Sequence, residues 1–412
     1  MDVFRSKTVL YLAPELPALS ATFVYNEILR LKELGGDILL ASIHQPMAEV
    51  DIQTQLKLGT VFIVYNTSLV LKLINFVKTI VTHPANFIKA AVWLIKDMYA
   101  LGKPNRNTIG LMFRFVAAAT LAQRILKQKI DHVHVHFAHV PTDIAMYATQ
   151  MANIPFSVTS HANDIFERGW LLEEKIHRSK FFITISQFNK RYLTKLAPHQ
   201  EKKISVVYCG VDNRQFMITE KKLNSPLKLF RFGFLGRLVE KKGAEFLIRA
   251  AKELSLTRTD FCIQMVGNGP LLESLQQIIN QLGIDKLVKL KGAMANNQVS
   301  NWLGTLDAFV LPSVKDKNGD MDGIPVSLME AMASGVPVLS TDISGIKELI
   351  INQQTGLLIE PGNTLALAAA MATLLDMPKP ELATLSHQAN NHINENFNQL
   401  TNAKTIARMI AK

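Results

Sequence analysis

DGIPVSLMEAMASGVPVLST, residues 322–341, compresses a loop, a helix, a turn and a strand into one short run. Pro325 is tolerated in a first helical turn and marks the helix start. Glu330 follows Asp322 after seven intervening residues, which puts it about two turns along that helix. The amides of Val326 and Ser327 fall in the first turn, where they have no intrahelical acceptor and can face an anion. Gly335-Val336-Pro337 stops the helix and leads into an apolar strand over Val336 to Leu339. A buried apolar face accounts for Leu328, Met329, Ala331 and Met332, but it gives no reason for an acid at Glu330 among small residues.

The same alternation extends in both directions. Towards the N-terminus, strand-length apolar runs occur at Thr8 to Leu12, Ile38 to Ile43, Val61 to Tyr65, Val133 to Phe137, Phe156 to Thr159, Phe181 to Ile185 and Ile204 to Tyr208, with a helix over Phe23 to Leu34. A second series begins at Leu229 to Leu235 and continues through Phe261 to Val266, Leu287 to Leu290, Ala308 to Leu311, Val336 to Leu339 and Gly356 to Ile359. Continuous Val/Ile/Leu/Phe runs suit parallel strands covered on both faces. The expected class is α/β, with two Rossmann-like, doubly wound domains that bind ligands in a cleft at the carboxyl ends of their strands. The polar segment Asn213 to Lys228 reads as a linker. The expected domains are 1–215, interrupted by a helical, basic insertion at 67–129, then 216–385, then a C-terminal helix within 386–412 able to cross back to the first domain.

The chain has 412 residues, 48% hydrophobic and 19% charged, with a formal charge of +11. That composition builds sizeable cores and excludes a disordered or fibrous protein. Cys209 and Cys262 stand in no metal-like spacing and make no disulfide framework. No A-x-A-like cleavage site follows the N-terminal residues, and no uninterrupted apolar run approaches the roughly 20 residues that cross a bilayer. A cytoplasmic protein is expected, at most peripheral to the inner face of a membrane. The charge is local: residues 52–130 hold eleven Lys or Arg against the single acid Asp97, whereas residues 223–412 hold 18 against 17. Such a distribution points to one anionic surface rather than to nucleic acid. Within the insertion, Lys72, Lys78, Lys89, Lys96, Lys103, Arg106 and Arg114 punctuate broad apolar helices, and Trp93 is a candidate headgroup anchor. An ordinary amphipathic helix with a solvated basic face explains the same pattern.

Other residues stand where chemistry is expected. Gly236 and Arg237 follow a strand and Lys242 comes shortly after; Arg is a planar fork and Lys a point charge for phosphate. Gly267 and Gly269, before Pro270, form a strand-to-helix turn that lets a ligand approach the backbone. His161 follows a strand, with Asp164 three residues on as its possible orienter. His132, His134 and His136 share a strand face, but with no partnering acid evident no metal site is expected. Asp320-Met321-Asp322 matches a D-x-D metal motif with no supporting context, and the run from Asp316 fails as a calcium loop because Met321 stands where glycine is needed. No G-x-G-x-x-G follows the first strand, so a dinucleotide-dependent dehydrogenase is excluded.

Taken together, the segment 322–341, the run Ser344-Gly345-Ile346-Lys347-Glu348-Leu349 and the stretch Phe234 to Gly243 resemble the retaining glycosyltransferases of family 4, of the exopolysaccharide and colanic acid biosynthesis type. The resemblance implies a GT-B fold, two Rossmann-like domains facing a central cleft. It gives Glu330 the ribose hydroxyls of a nucleotide sugar and the donor sugar to Asp322, which stands where the family has Glu. Arg237 and Lys242 inherit the donor diphosphate. Gly236, Gly267, Gly269, Gly323, Ile324, Val326 and Ser327 line the same donor site. Ser160-His161-Ala162-Asn163-Asp164-Ile165 is similar to the family's H-A-x-D-I segment, whose His lies near the transferred sugar. On the acceptor side the resemblance keeps His136, Asp164 and, from the opening Pro17-Ala18-Leu19-Ser20-Ala21-Thr22-Phe23-Val24-Tyr25-Asn26-Glu27, Ser20 and Thr22. It implies a hexosyltransferase with no metal or other cofactor, a nucleotide sugar as donor, and a glycan or polyprenyl-linked acceptor in exopolysaccharide or cell-surface glycan synthesis. The rival readings are another GT-B enzyme, either an epimerase or a transferase to a sugar phosphate, and a catalytically idle scaffold on a membrane.

Overall fold

The computed structural model describes residues 2–18, 21–46, 52–102, 106–216, 218 and 229–412. It divides into two compact units, 1–207 with 400–412, and 208–399. In the first, seven strands run in the order β3-β2-β1-β4-β5-β6-β7: β1 (Thr8–Glu15), β2 (Asp37–His44), β3 (Val61–Ile63), β4 (His132–His136), β5 (Phe156–Ser160), β6 (Phe182–Thr184) and β7 (Ile204–Val206). The second has six, in the order β10-β9-β8-β11-β12-β13: β8 (Phe230–Leu235), β9 (Phe261–Val266), β10 (Val288–Leu290), β11 (Ala308–Leu311), β12 (Val338–Thr341) and β13 (Leu357–Ile359). All these pairings are parallel. Each sheet starts in its middle and reverses its winding, between β1 and β4 in one and between β8 and β11 in the other. At such a switch point the loops part at the carboxyl ends of the strands.

Strand alternation explains the layers of the first unit. Leu10 and Leu12 of β1 join one buried cluster, with Val133, Val135 and the alanines of the helix Arg106–Gln128. Val9 and Tyr11, pointing the other way, join a second cluster with Val24, Ile28 and Leu31. Ala403, Ile406, Ala407 and Ile410 of the last helix, Gln399–Ala411, close that second cluster. Lys7 fastens the end of that helix by donating to the carbonyls of Ile410 at 2.9 Å and Ala411 at 3.1 Å. A helix does return, but the boundaries differ from those expected. The helix Lys379–Asn396 buries Leu385, Ala389 and Ile393 in the core of the second unit, so the return begins only after residue 399. The first division likewise falls at 207/208 and not at 215/216. Most of the expected linker, 217 and 219–228, lies outside the described residues.

The insertion is also narrower than 67–129. The helices Leu69–Thr82 and Pro84–Ala100 are the true excursion. The helix Arg106–Gln128 is the regular crossover between β3 and β4, and Ala117, Ala118, Ala119, Leu121 and Ala122 bury it in the core. Its stretch Asn107–Gln128 is long and apolar enough to cross a membrane by length and composition, yet half of that stretch is buried. Arg114 on it bonds Asp143 at 2.9 Å, which marks a core helix.

Asp97, the lone acid of the basic segment, ties the excursion down. Its two oxygens take the Arg178 guanidinium at 2.6 Å each, and one also accepts the Tyr147 hydroxyl at 2.6 Å. Arg178 also lies 4.7 Å over the Trp93 ring. Removing one member of a buried pair strands the other charge. Asp97→Ala should therefore cost about 3 kcal/mol or more, read by urea denaturation followed by circular dichroism.

Candidate active site

In the second unit the loops after β8, β9, β11 and β12 converge. Gly236 ends β8 and donates its amide to Val266 O at 3.1 Å, which sets the first two turns against each other. Gly267 has φ +148°, and a Cβ there would lie 1.9 Å from Gly236 O, so only glycine fits the turn. Gly243, at φ +67°, ends the short turn Glu240–Lys242 with the Pro312 carbonyl in the place of a Cβ, and so fixes Lys242 beside the β11 loop. Gly269 closes the β9 turn, its amide accepted by the Asn268 side chain at 2.7 Å.

Lys242 Nζ sits 2.8 Å from Asp322 Oδ2, which also accepts the Ser313 hydroxyl at 3.0 Å. Lys241 bonds Asp320 at 2.7 Å and lies 4.0 Å from the other Asp322 oxygen. Burial pushes the Asp322 carboxyl up, but Lys242 and Lys241 outweigh it and hold the group below its usual range. Both carboxylates of the D-x-D triplet are thus held by lysines. Ser344, at φ +50°, donates its hydroxyl to the carbonyls of Asp322 and Gly323 and pins the loop that carries Ile324. The helix Val326–Ala333 then starts at Pro325, with the amides of Val326 and Ser327 in its first turn. Arg237 is exposed on the neighbouring loop.

Glu330 behaves differently. It is buried on that helix, and among the described residues its carboxyl has no hydrogen-bond partner. Burial alone pushes its pKa up to about 8, so it holds a proton at neutral pH.

In the first unit the expected residues gather at the ends of β4 and β5. His136 Nδ1 lies 3.3 Å from His161 Nε2. Asp164 works on the main chain rather than on the imidazole: Oδ1 accepts the His161 amide at 2.7 Å and Oδ2 accepts the Ala138 amide. Burial pushes Asp164 up to about 7, with these amides pulling against it. Lys175 takes the Ala138 carbonyl at 2.6 Å and Asp143 at 2.8 Å, so the loop after β4 is gripped from both sides. Thr22 opens the helix Thr22–Glu33, and Ser20 lies outside the described residues.

The acid missing from the histidine strand is Glu27, 3.1 Å from His136 Nε2 and 3.9 Å from His134 Nε2. It ends the quoted opening motif, which was the only signal for it. Nothing in sequence spacing marked Ser313 or Lys241.

Residues 216–392 match the family model of glycosyl transferases group 1, and residues 79–215 match that of glycosyltransferase family 4. The chain belongs to these glycosyltransferases. It is 32% identical over 238 residues to the Escherichia coli K12 protein that bears the name colanic acid biosynthesis glycosyltransferase WcaL, covering 58% of each chain. With the amylovoran biosynthesis glycosyltransferase AmsK of Erwinia amylovora the identity is 31%, over 61% of this chain and 62% of AmsK. The chain thus spans about three fifths of the length of these curated relatives. Two solved structures share the fold across nearly the whole chain. A Rickettsia africae glycosyltransferase has a TM-score of 0.71 at 19% identity, covering 99% of each chain, and Anabaena HepE has 0.73 at 16%, covering 98% of each. With them the GT-B class is established for this family member.

The Glu330 pKa makes stability depend on pH. With a pKa of about 8 when folded against an ordinary 4.5, it binds its proton more tightly in the folded chain. Its contribution is full below pH 4.5 and is lost as pH rises to about 8. Glu330→Gln should flatten that decline and melt higher than wild type above pH 8, read by thermal denaturation across the range. An unchanged slope would mean that the carboxyl is not desolvated.

Proposed function

We propose that the chain is a retaining glycosyltransferase that moves a sugar from a nucleotide-sugar donor to a glycan or polyprenyl-linked acceptor in exopolysaccharide or cell-surface glycan synthesis. Two neighbouring features carry the reading: Lys242 rests on Asp322 at 2.8 Å, and the uncompensated acid Glu330 lies on the helix that the same loop starts. The first offers a cation that exchanges Asp322 for phosphate, and the second offers an acid that gains partners from ribose hydroxyls.

Departure of the diphosphate is the step that gathers charge. Lys242, Arg237 and the first-turn amides at Val326 and Ser327 are placed to meet it, which is electrostatic catalysis. These cations perform what a metal does in other transferases, so the reading needs no cofactor. Asp322, released from Lys242, is then free for the donor sugar. No side chain serves as nucleophile; the acceptor attacks from the face that the leaving group vacates, and the departing phosphate takes its proton. The names of WcaL and AmsK support the exopolysaccharide setting, and HepE, solved with UDP and glucose, supports a nucleoside diphosphate leaving group.

The membrane is part of the same proposal, at the cytoplasmic face. Leu69, Val70, Leu73, Ile74, Val77 and Val81 are all exposed along the helix Leu69–Thr82, and Ile88 and Ile95 along the next. A run of this kind on a soluble surface asks for a cover. Lys78, Lys89 and Lys96 are exposed beside it. Other carriers expected from sequence are engaged within the unit: Lys72 is buried over the Tyr65 and Phe113 rings, Arg114 bonds Asp143, and Trp93 lies under Arg178. Apolar insertion therefore contributes more than the +10 segment charge suggested, with anionic lipid adding to it.

Lys242→Ala should lower kcat about 100-fold or more, the scale of losing one charge-stabilising donor. Glu330→Ala should weaken nucleotide binding, read by calorimetry. An inverted anomeric centre in the product, read by proton NMR, would remove retention. A nucleotide sugar converted to its epimer without any acceptor would favour an epimerase, and folded protein that binds no nucleotide sugar would favour the idle scaffold. For the membrane, Ile74→Asp with Val77→Asp should abolish flotation with phosphatidylglycerol vesicles, and flotation equal to wild type would rule out that face.

A further inference from the structure

His136, the last residue of β4, links two elements. Its Nε2 lies 3.1 Å from Glu27 Oε1 on the helix Thr22–Glu33, and its Nδ1 lies 3.3 Å from His161 Nε2 just past β5. Tyr11 of β1 donates its hydroxyl to the same Glu27 oxygen at 2.9 Å. Phe23 and Phe137 each lie 4.6 Å from the His161 ring, centroid to centroid, and leave it little room to turn.

The hydrogen bonds fix where the protons are. An ionised carboxylate only accepts, so the His136 nitrogen facing Glu27 carries a proton. A neutral His136 then has a bare Nδ1, and His161 must supply the proton from its Nε2. That leaves the other His161 nitrogen as an acceptor. The capping box asks for the same arrangement, with the His161 side chain accepting the Asp164 amide while the Asp164 carboxylate accepts the His161 amide. The donors run one way, from the Asp164 amide to His161, to His136, to Glu27.

Glu27, His134 and His136 also bring ligand atoms within 4.8 Å of one another, the spacing of a metal site. The proton order opposes that use. A cation on His136 Nε2 would drive its proton to Nδ1, oblige His161 to accept there, and turn the remaining His161 proton against the capping amide. His134 Nε2, the third ligand atom, is already 3.0 Å from the Thr159 hydroxyl.

We propose that Glu27 is a positioning residue: by accepting the His136 proton it sets His161 as a fixed ring, protonated on Nε2, that meets the transferred sugar as an orienting surface and not as an acid or base. The link to turnover rests on the transferase reading; the proton order does not.

The test uses the full chain labelled with ¹⁵N-histidine, its signals assigned through single His→Gln variants. Long-range ¹⁵N–¹H spectra at neutral pH should show His136 and His161 protonated on Nε2 alone. Glu27→Gln, whose Oε1 can still accept from both Tyr11 and His136, should keep that pattern, whereas Glu27→Ala should mix the tautomers of both rings. In parallel, Glu27→Ala should lower kcat about 10-fold or more with the donor KM unchanged, as misplaced orienting groups do, and Glu27→Gln should recover most of the loss. Protonation of either ring on Nδ1 in the wild type would overturn the proposal. So would one equivalent of zinc that survives dialysis against EDTA and shifts His134 and His136, or a Glu27→Ala kcat equal to wild type. A wild-type chain that turns over no nucleotide sugar would sink the transferase reading instead, with the spectra still deciding the place of Glu27.

Discussion

A carboxylate taken out of water costs several kcal/mol unless something compensates it, and this constraint organises both units. Asp97 takes the bidentate fork of Arg178, Asp143 takes Lys175 and Arg114, and Asp322 takes Lys242. Asp164 is held by two main-chain amides, and Glu27 by a tyrosine and a histidine. Most of these pairings also join segments distant in sequence, so the solvation debt of one acid becomes the geometry of a loop. Glu330, with no such partner among the described residues, meets the problem by keeping its proton.

The pairings differ in what they permit. Lys175 donates to Ala138 O and Trp170 O and is ion-paired with Asp143, so its charge is already committed within the unit. Lys242 and Asp322 sit at loop ends, and Asp322 keeps the Ser313 hydroxyl and the nearby Lys241 when Lys242 changes partner. The arrangement is stiff in the first unit and exchangeable in the second, in line with a scaffold on one side and a binding step on the other.

The architecture was largely legible in the sequence because parallel strands buried on both faces leave continuous apolar runs, and every strand expected is present within a few residues. The motif around Asp322 and Glu330 stands out for a different reason: its glycines and acids have no use in a core. What stayed hidden depends on contacts between distant segments. Glu27 lies over 100 positions from His136, and no local pattern announces their meeting. Composition does not tell an alanine-rich crossover such as the helix Arg106–Gln128 from an excursion. The inward direction of Lys72 and Trp93 is set by neighbours that sequence does not rank. The division at 207/208 leaves no mark in composition, because the chain changes units before its composition changes.

The helix Gln399–Ala411 belongs to the sheet that opens the chain, so the whole second unit is inserted between two pieces of the first. During synthesis on a ribosome, strands β1 to β7 emerge with one layer uncovered, and Val9, Tyr11 and Ile28 wait for their last neighbours until residues 400–412 have been made. The contiguous second unit has no such wait. Its folding can precede completion of the first, reversing the N-to-C order usual for domains in tandem.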